Sequence, residues 1–374
     1  MIIFGIRERR INLKQRIIGI DLLRILSMLG IIGLHIMNQG GIMNNANLNS
    51  ISYIVYLILL GVFFTSVNIF GIISGYLNIE KTENKNKRII ELIFTVLFWS
   101  IVITGIFYCF NLFNFRQGGI KEVLCGVFPS IVGNYWYITC YVLVFFMIPF
   151  LNNFLNGIDR KTYKKLLFVL FIMFCIIQNL CAHTDLFRIE YGYSPFWLMY
   201  LYMIGGYIKK YGIIISTKRI AIYLMASIII ACTLNYIVRL IGNSIFGRVV
   251  KGGFLIDYIS PFTLISSIMI LLLFEKINIK SISVCKIMKY FSGMAFSVYV
   301  IHIHRAIFYS ALTDLFAFVP NMNIFISVLV IIGVLISTYL ICCILDELRK
   351  LIFKLFRIDR FINYIGLKLD KVLN

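Results

Sequence analysis

Charge is what this sequence has least of. Asp, Glu, Lys and Arg make up 14% of its 374 residues, roughly half the share found in soluble domains. Hydrophobic residues make up 60%, and the mean hydropathy is +0.92. So little polar cover cannot coat a water-soluble core, which excludes a cytosolic enzyme, a secreted domain and a disordered tail. Acidic residues are scarcer still, 16 against 36 basic ones, for a net charge of +20. No motif for RNA or DNA accompanies that excess, so nucleic acid is not an expected partner. Basic loops on the cytoplasmic face of a membrane account for it. Other absences narrow the chemistry. None of the nine cysteines stands in a C-x-x-C pair, and most lie in apolar runs, so they read as small buried hydrophobes. No G-x-S-x-G elbow and no H-x-x-x-H pair occurs, so neither a serine hydrolase site nor a zinc site is expected. The N-terminus has the basic-then-apolar order of a signal peptide but no small-residue cleavage site, and reads as a first transmembrane helix.

What is present is a series of long apolar runs, each near the 20 or so residues a helix needs to cross hydrocarbon. They lie near 17–38, 51–78, 88–113, 134–155, 165–183, 194–211, 219–241, 255–276, 287–312 and 322–346. The expected fold is therefore all-α, a polytopic integral membrane protein of about ten transmembrane helices. Residues 1–346 form one membrane domain, and 347–374 form a basic amphipathic tail suited to an anionic lipid surface. The segment 121–133 is expected to be a loop dipping into the interface. Lys and Arg set the orientation: 28 fall on the side of the N-terminal segment, the connections after even-numbered spans and the tail. The opposite loops hold five, namely Arg116, Lys121, Arg188, Arg248 and Lys251. That split places both termini in the cytoplasm.

Ionisable groups inside the membrane are costly, so each is a functional candidate. The first span carries Asp21, Arg24 and His35. Eleven residues turn a helix through about three full turns, so Arg24 and His35 share one stripe, with Asp21 about 40° away. Yet they stand about 16 Å apart along the axis, too far to touch and well placed for the two ends of one long ligand. A cation toward the cytoplasm suits a phosphate-bearing donor, and an imidazole further out suits a hydroxyl that must lose its proton. A structural Asp21–Arg24 pair with an interfacial His35 is the plainer alternative. Tyr135 and Trp136, beside Asn134 and Tyr137, fit either an aromatic belt or a platform for a sugar ring. His302 and His304 differ by about 200° on a helix, so one of them points into the bundle, and Arg305 lies near the face of His302. Arg239 reads as snorkelling to the outer surface and His183 as interfacial. Gly75, after Ser74, reads as a point of close helix packing.

GIDLLRILSMLGIIGLH, at 19–35, resembles the first helix of the membrane-bound acyltransferase-3 family, in which a basic residue and a histidine are separated by ten residues. FGIISGYL (70–77), NYWYITCYVLVFFMIPFL (134–151) and FSVYVIHIH (296–304) resemble later elements of that family in the same order. The resemblance covers about 16–345. It implies transfer of an acyl group, usually acetyl, from cytosolic acetyl-coenzyme A or another acyl-coenzyme A to hydroxyls of extracytoplasmic glycans. It makes His35 and Arg24, with Asp21 in support, the catalytic group, and places Lys85, Lys87 and Arg88 with Arg24 at the coenzyme. There this sequence has lysine where the family is richer in arginine, and positive-inside topology explains the same cluster. Tyr135, Trp136, His302 and Arg305 become candidates for the acceptor. The expected setting is a bacterial plasma membrane. A fused esterase-like domain, which some relatives carry, is not seen, so a hand-off acyltransferase or glycan-assembly partner would be a separate protein. A transporter or flippase for a glycan or lipid-linked intermediate is the alternative class. A glycan polymerase would want a larger outer loop than 114–133.

Overall fold

A computed structural model describes residues 18–82, 86–112, 120–128, 130, 133, 135–181, 184–247 and 255–373. The N-terminal basic segment, Lys85, Asn134, His183, Arg116, Arg248 and Lys251 lie outside the described residues. Among the described residues there is no strand. The chain forms α1 (Ile18–Asn38), α2 (Ile51–Asn78), α3 (Lys87–Cys109), α4 (Trp136–Gly157), α5 (Arg160–Leu180), α6 (Pro195–Tyr211), α7 (Thr217–Phe246), α8 (Pro261–Glu275), α9 (Ile282–His302), α10 (Ile324–Leu355) and α11 (Ile358–Leu373). Eight of these are long and apolar enough to cross a membrane, and the protein is a polytopic α-helical membrane protein. The sixth and eighth expected spans are the shorter helices α6 and α8, of 17 and 15 residues. Proline begins each of them: Pro195 and Pro261 have no N–H to leave unbonded, and their fixed φ suits a first turn.

Helix starts follow local chemistry. Ser50, Ser194, Ser216 and Ser281 each accept a hydrogen bond from an N–H in the first turn, satisfying a donor that the helix cannot. Asp159 caps α5 by accepting from the Thr162 hydroxyl and from the backbone N–H groups of Thr162 and Lys161, bonds that hold its carboxyl below the ordinary range. Within α5 a π turn at Ile172–Ile177 interrupts the regular ladder.

The hub is α2, which packs on α1, α6, α7 and α8. Its contact with α6 is backbone to backbone. A methyl added at Gly75 would overlap the Tyr202 carbonyl, and one at Gly205 would overlap the Ile72 carbonyl. Such small-residue contacts let helices approach closely where lipid supplies no hydrophobic drive between them. Buried polar side chains then fasten the bundle. Asn68 on α2 donates to the Tyr258 carbonyl at 2.7 Å and accepts from Trp197 Nε1 at 3.0 Å. Asn152 on α4 donates to the carbonyls of Asn78 and Lys81 and accepts from the Tyr202 hydroxyl. These contacts bring the C-terminal ends of α2, α4 and α6 together, and Gly19 on α1 packs against Phe274 at the end of α8. The start of α1 and the ends of α2, α4, α6 and α8 therefore share one end of the bundle.

Two expectations change. The interfacial loop at 121–133 contains a helix, Ile120–Val127, whose Gly126 sits on Thr104 of α3. Its eight residues rise about 12 Å, too short to cross. The boundary drawn at 346 falls inside α10, which runs unbroken to Leu355, with no Gly or Pro between Asp346 and Leu355. The tail helix α11 does not only face lipid. It packs on α3, where Asp370 Oδ1 accepts the Asn86 N–H at 3.0 Å, Gly366 lies on the Lys87 backbone and Phe361 meets Phe94 edge-on.

Candidate active site

The stripe on α1 faces a cavity of about 1560 Å³. Asp21, Arg24 and His35 all line it, as helical spacing requires. At the end where α1 begins, its wall carries Lys81, Arg88, Lys209, Arg349 and Lys350 together with Arg24, against the carboxylates of Asp21, Glu91 and Asp346. At the other end the wall includes Gln39, Tyr53, Arg239 and Arg305. One continuous space thus joins a cationic mouth to a polar, aromatic vestibule.

Local packing fixes these groups. Asp21 is buried and accepts from Ser292 Oγ of α9 at 2.9 Å. Arg24 lines the cavity together with Tyr137 and Tyr141 of α4. Arg88 lines the cavity, whereas Lys87 is exposed at the foot of α11, outside the lining. Lys87 is thus removed from the mouth because adjacent residues on a helix diverge by about 100°. The carboxylate of Asp346 takes bonds from Arg349 Nε at 2.6 Å and Nη2 at 3.2 Å. This pair repeats on α10 the three-residue spacing of Asp21 and Arg24. That recurrence in an apolar helix was the signal that could have marked Asp346 and Arg349, which the sequence reading assigned to the end of a span and to the tail.

The middle of the cavity is aromatic. Trp136 lies 4.7 Å from Tyr193 and 5.9 Å from Tyr258, centroid to centroid. Tyr135, expected beside it as a platform, is turned away. It is fully buried, and its hydroxyl donates to the Val300 carbonyl at 2.7 Å. Tyr137 takes its place on the cavity wall. Arg239 does not snorkel freely: it donates to Asn235 Oδ1 at 2.6 Å and to the Tyr53 hydroxyl at 2.9 Å while lining the cavity.

The two histidines at the end of α9 part company. His302 reaches His35, with Nε2 of His302 3.1 Å from Nδ1 of His35 and the ring centroids 5.2 Å apart. Phe308 meets the His35 ring edge-on, also at 5.2 Å. His302 Nδ1 lies 2.6 Å from the Val298 carbonyl. His304 instead contacts the Gly126 carbonyl and Thr104 through Nε2 and takes the Ala306 N–H on Nδ1. Replacing His304 with Ala is expected to lower stability by about 1–3 kcal/mol, because buried partners lose their bonds. The folded fraction should keep its activity, which thermal inactivation and specific activity together will check. Among the described residues, no three His, Cys, Asp or Glu side chains gather as a metal site would require.

Fold and cavity define a multi-pass membrane protein that keeps its ionisable groups inside the helix bundle, on the wall of one deep space. Residues 17–347 match the family model described as an acyltransferase domain, and the chain belongs to this acyltransferase-3 family. It is an acyltransferase. Searches of the curated proteins and of the solved structures gave no match.

Proposed function

We propose that the protein moves an acyl group, acetyl foremost, from a coenzyme A thioester in the cytoplasm of a bacterium to a hydroxyl of a glycan outside its plasma membrane. The observation that carries this reading is the single cavity containing both Arg24 and His35. The Lys and Arg distribution supports a cytoplasmic position for the cationic mouth. There Arg24, Arg88, Arg349 and Lys350 offer charge to the phosphates of the donor. The interval of about 16 Å along α1 asks for an extended linker between those phosphates and the reacting carbonyl, and a pantetheine arm is such a linker. Lys87, on the same end of the bundle, does not line the cavity.

In the reaction, His35 takes the proton of the acceptor hydroxyl as its oxygen bonds to the thioester carbonyl carbon. The carbon–sulfur bond then breaks, and the same proton goes to the departing sulfur. The products are an ester and free coenzyme A thiol. Holding both substrates in one cavity adds the advantage of positioning. Trp136 and Tyr137 offer flat faces to a sugar ring, and Arg305, resting on the Tyr309 ring at 5.3 Å, lies near the acceptor's path.

A cavity reaching both ends also suits a transporter, which needs no thioester. The deciding experiment supplies radiolabelled acetyl-coenzyme A to the cationic face of the protein in liposomes. Thioester consumption that depends on His35 supports transfer, whereas absence of both coenzyme A binding and turnover favours transport. In the same assay Arg24→Ala should raise KM for the donor about tenfold, near 1.4 kcal/mol, with a smaller effect on kcat. An unchanged KM would remove Arg24 from the donor site.

A further inference from the structure

The contacts of His302 determine how His35 works. The Val298 carbonyl has only lone pairs, so at 2.6 Å the hydrogen between them belongs to Nδ1 of His302. In a neutral imidazole the other nitrogen is then unprotonated, and Nε2 of His302 presents a lone pair. Its neighbour at 3.1 Å is Nδ1 of His35, which must therefore carry the hydrogen and donate it. That leaves Nε2 of His35 with the open lone pair. His302 is buried and His35 is only partly covered, so the chain of bonds starts at backbone, runs through a sealed ring and ends on a ring that lines the cavity.

We propose that His302 is the positioning residue of His35: it fixes the tautomer that leaves Nε2 of His35 as the base, and it holds the ring against Phe308 at that angle. This rests on the reading of His35 as the group that takes the acceptor's proton. The arrangement differs from the usual orienting carboxylate. A neutral partner places no net charge in the apolar bundle at rest, and its lone pair faces the Nδ1–H that becomes more positive once Nε2 is protonated. The chain also stops at Val298. A carbonyl does not take the proton on, so the charge stays within the His35–His302 pair until the departing sulfur collects a proton from Nε2 of His35. In this role His302 acts through His35 and not on the acceptor, for which the family resemblance had made it a candidate.

The test has two arms. The chain contains four histidines, so ¹⁵N-histidine labelling gives a solid-state NMR spectrum of four imidazoles, with His35 and His302 assigned by loss of signal in His35→Ala and His302→Gln. Both rings should show hydrogen on Nδ1 and none on Nε2. Hydrogen on Nε2 of His35 would overturn the proposal whatever the enzyme does. In the second arm, His302→Gln places an amide oxygen near the position of Nε2, while His302→Phe keeps bulk and offers no acceptor. Consumption of acetyl-coenzyme A should fall about 100-fold in kcat for Phe and by less than tenfold for Gln, with KM for the donor unchanged in both. Equal rates for Phe and wild type would overturn the proposal. If His302→Phe does not fold, the spectrum and the Gln variant still decide. A wild type that turns over no thioester removes the proposed function instead, while the spectrum continues to report the tautomer.

Discussion

His35→Ala should leave a protein that inserts, folds and binds its donor, yet consumes no thioester above background. The substitution removes the one imidazole that lines the cavity among the described residues, and it has His302 behind it. Among the described residues the contacts of the His35 ring are His302 at one nitrogen and the edge of Phe308, and its other side faces the cavity. General-base catalysis by a positioned histidine contributes about 10²–10⁴ in rate. The loss here should lie at the upper end, because among the described residues no second imidazole lines the cavity to take its place. The measurement is label release from acetyl-coenzyme A in liposomes, with size-exclusion and donor binding as controls for folding. Wild-type turnover in the variant would end the assignment of His35.

Gly205→Val should have the largest effect on stability. A side chain there meets the Ile72 carbonyl and the Tyr76 N–H, and neither is a flexible group that could swing aside. Relief requires that α2 and α6 separate, and α2 also holds α1, α7 and α8. Overpacking that a rotamer change can absorb costs about 1–3 kcal/mol. A backbone overlap at the hub belongs among the rare losses of roughly 4 kcal/mol or more. Little folded protein should survive detergent extraction, as fluorescence-detected size-exclusion will show. Gly105→Val is the control: its added carbon meets nothing within 4 Å, and its folded yield should match wild type. Equal yields for the two variants would show that the α2–α6 contact is not what secures the bundle.

The sequence made the membrane class, the run of helices and the inward stripe of α1 legible, because each depends on local periodicity that hydrocarbon enforces strictly. Asp21, Arg24 and His35 fall on one cavity wall for the same reason that they fall on one face of a helical wheel. Partners were not legible. His35 meets a residue 267 positions away, and no local pattern encodes that meeting. Helical spacing showed that His302 and His304 must diverge but not which faced His35. Tyr135 and Trp136 looked equivalent at the edge of a span, and the cap at Tyr135 sends one into the core and the other to the cavity. Asp346 and Arg349 were hidden by their place at the end of a long apolar run, where a charge ordinarily marks the membrane surface. The π turn in α5 has no compositional mark in its sequence, IMFCII.

The cavity that joins the two ends of the bundle has a consequence for the cell as well as for the reaction. Around this protein the membrane's insulation is hydrocarbon, but along its axis the insulation is side chains. A path wide and polar enough for two substrates is also a path for hydronium and sodium, and a resting cell would discharge its ion gradients through it were it wetted from end to end. The tier formed by Trp136, Tyr137, Tyr258 and Tyr299 stands between the cationic mouth and the vestibule. A protein built this way has to keep any column of water broken even while a substrate passes, and these rings are the broad apolar surfaces that line the middle of the path.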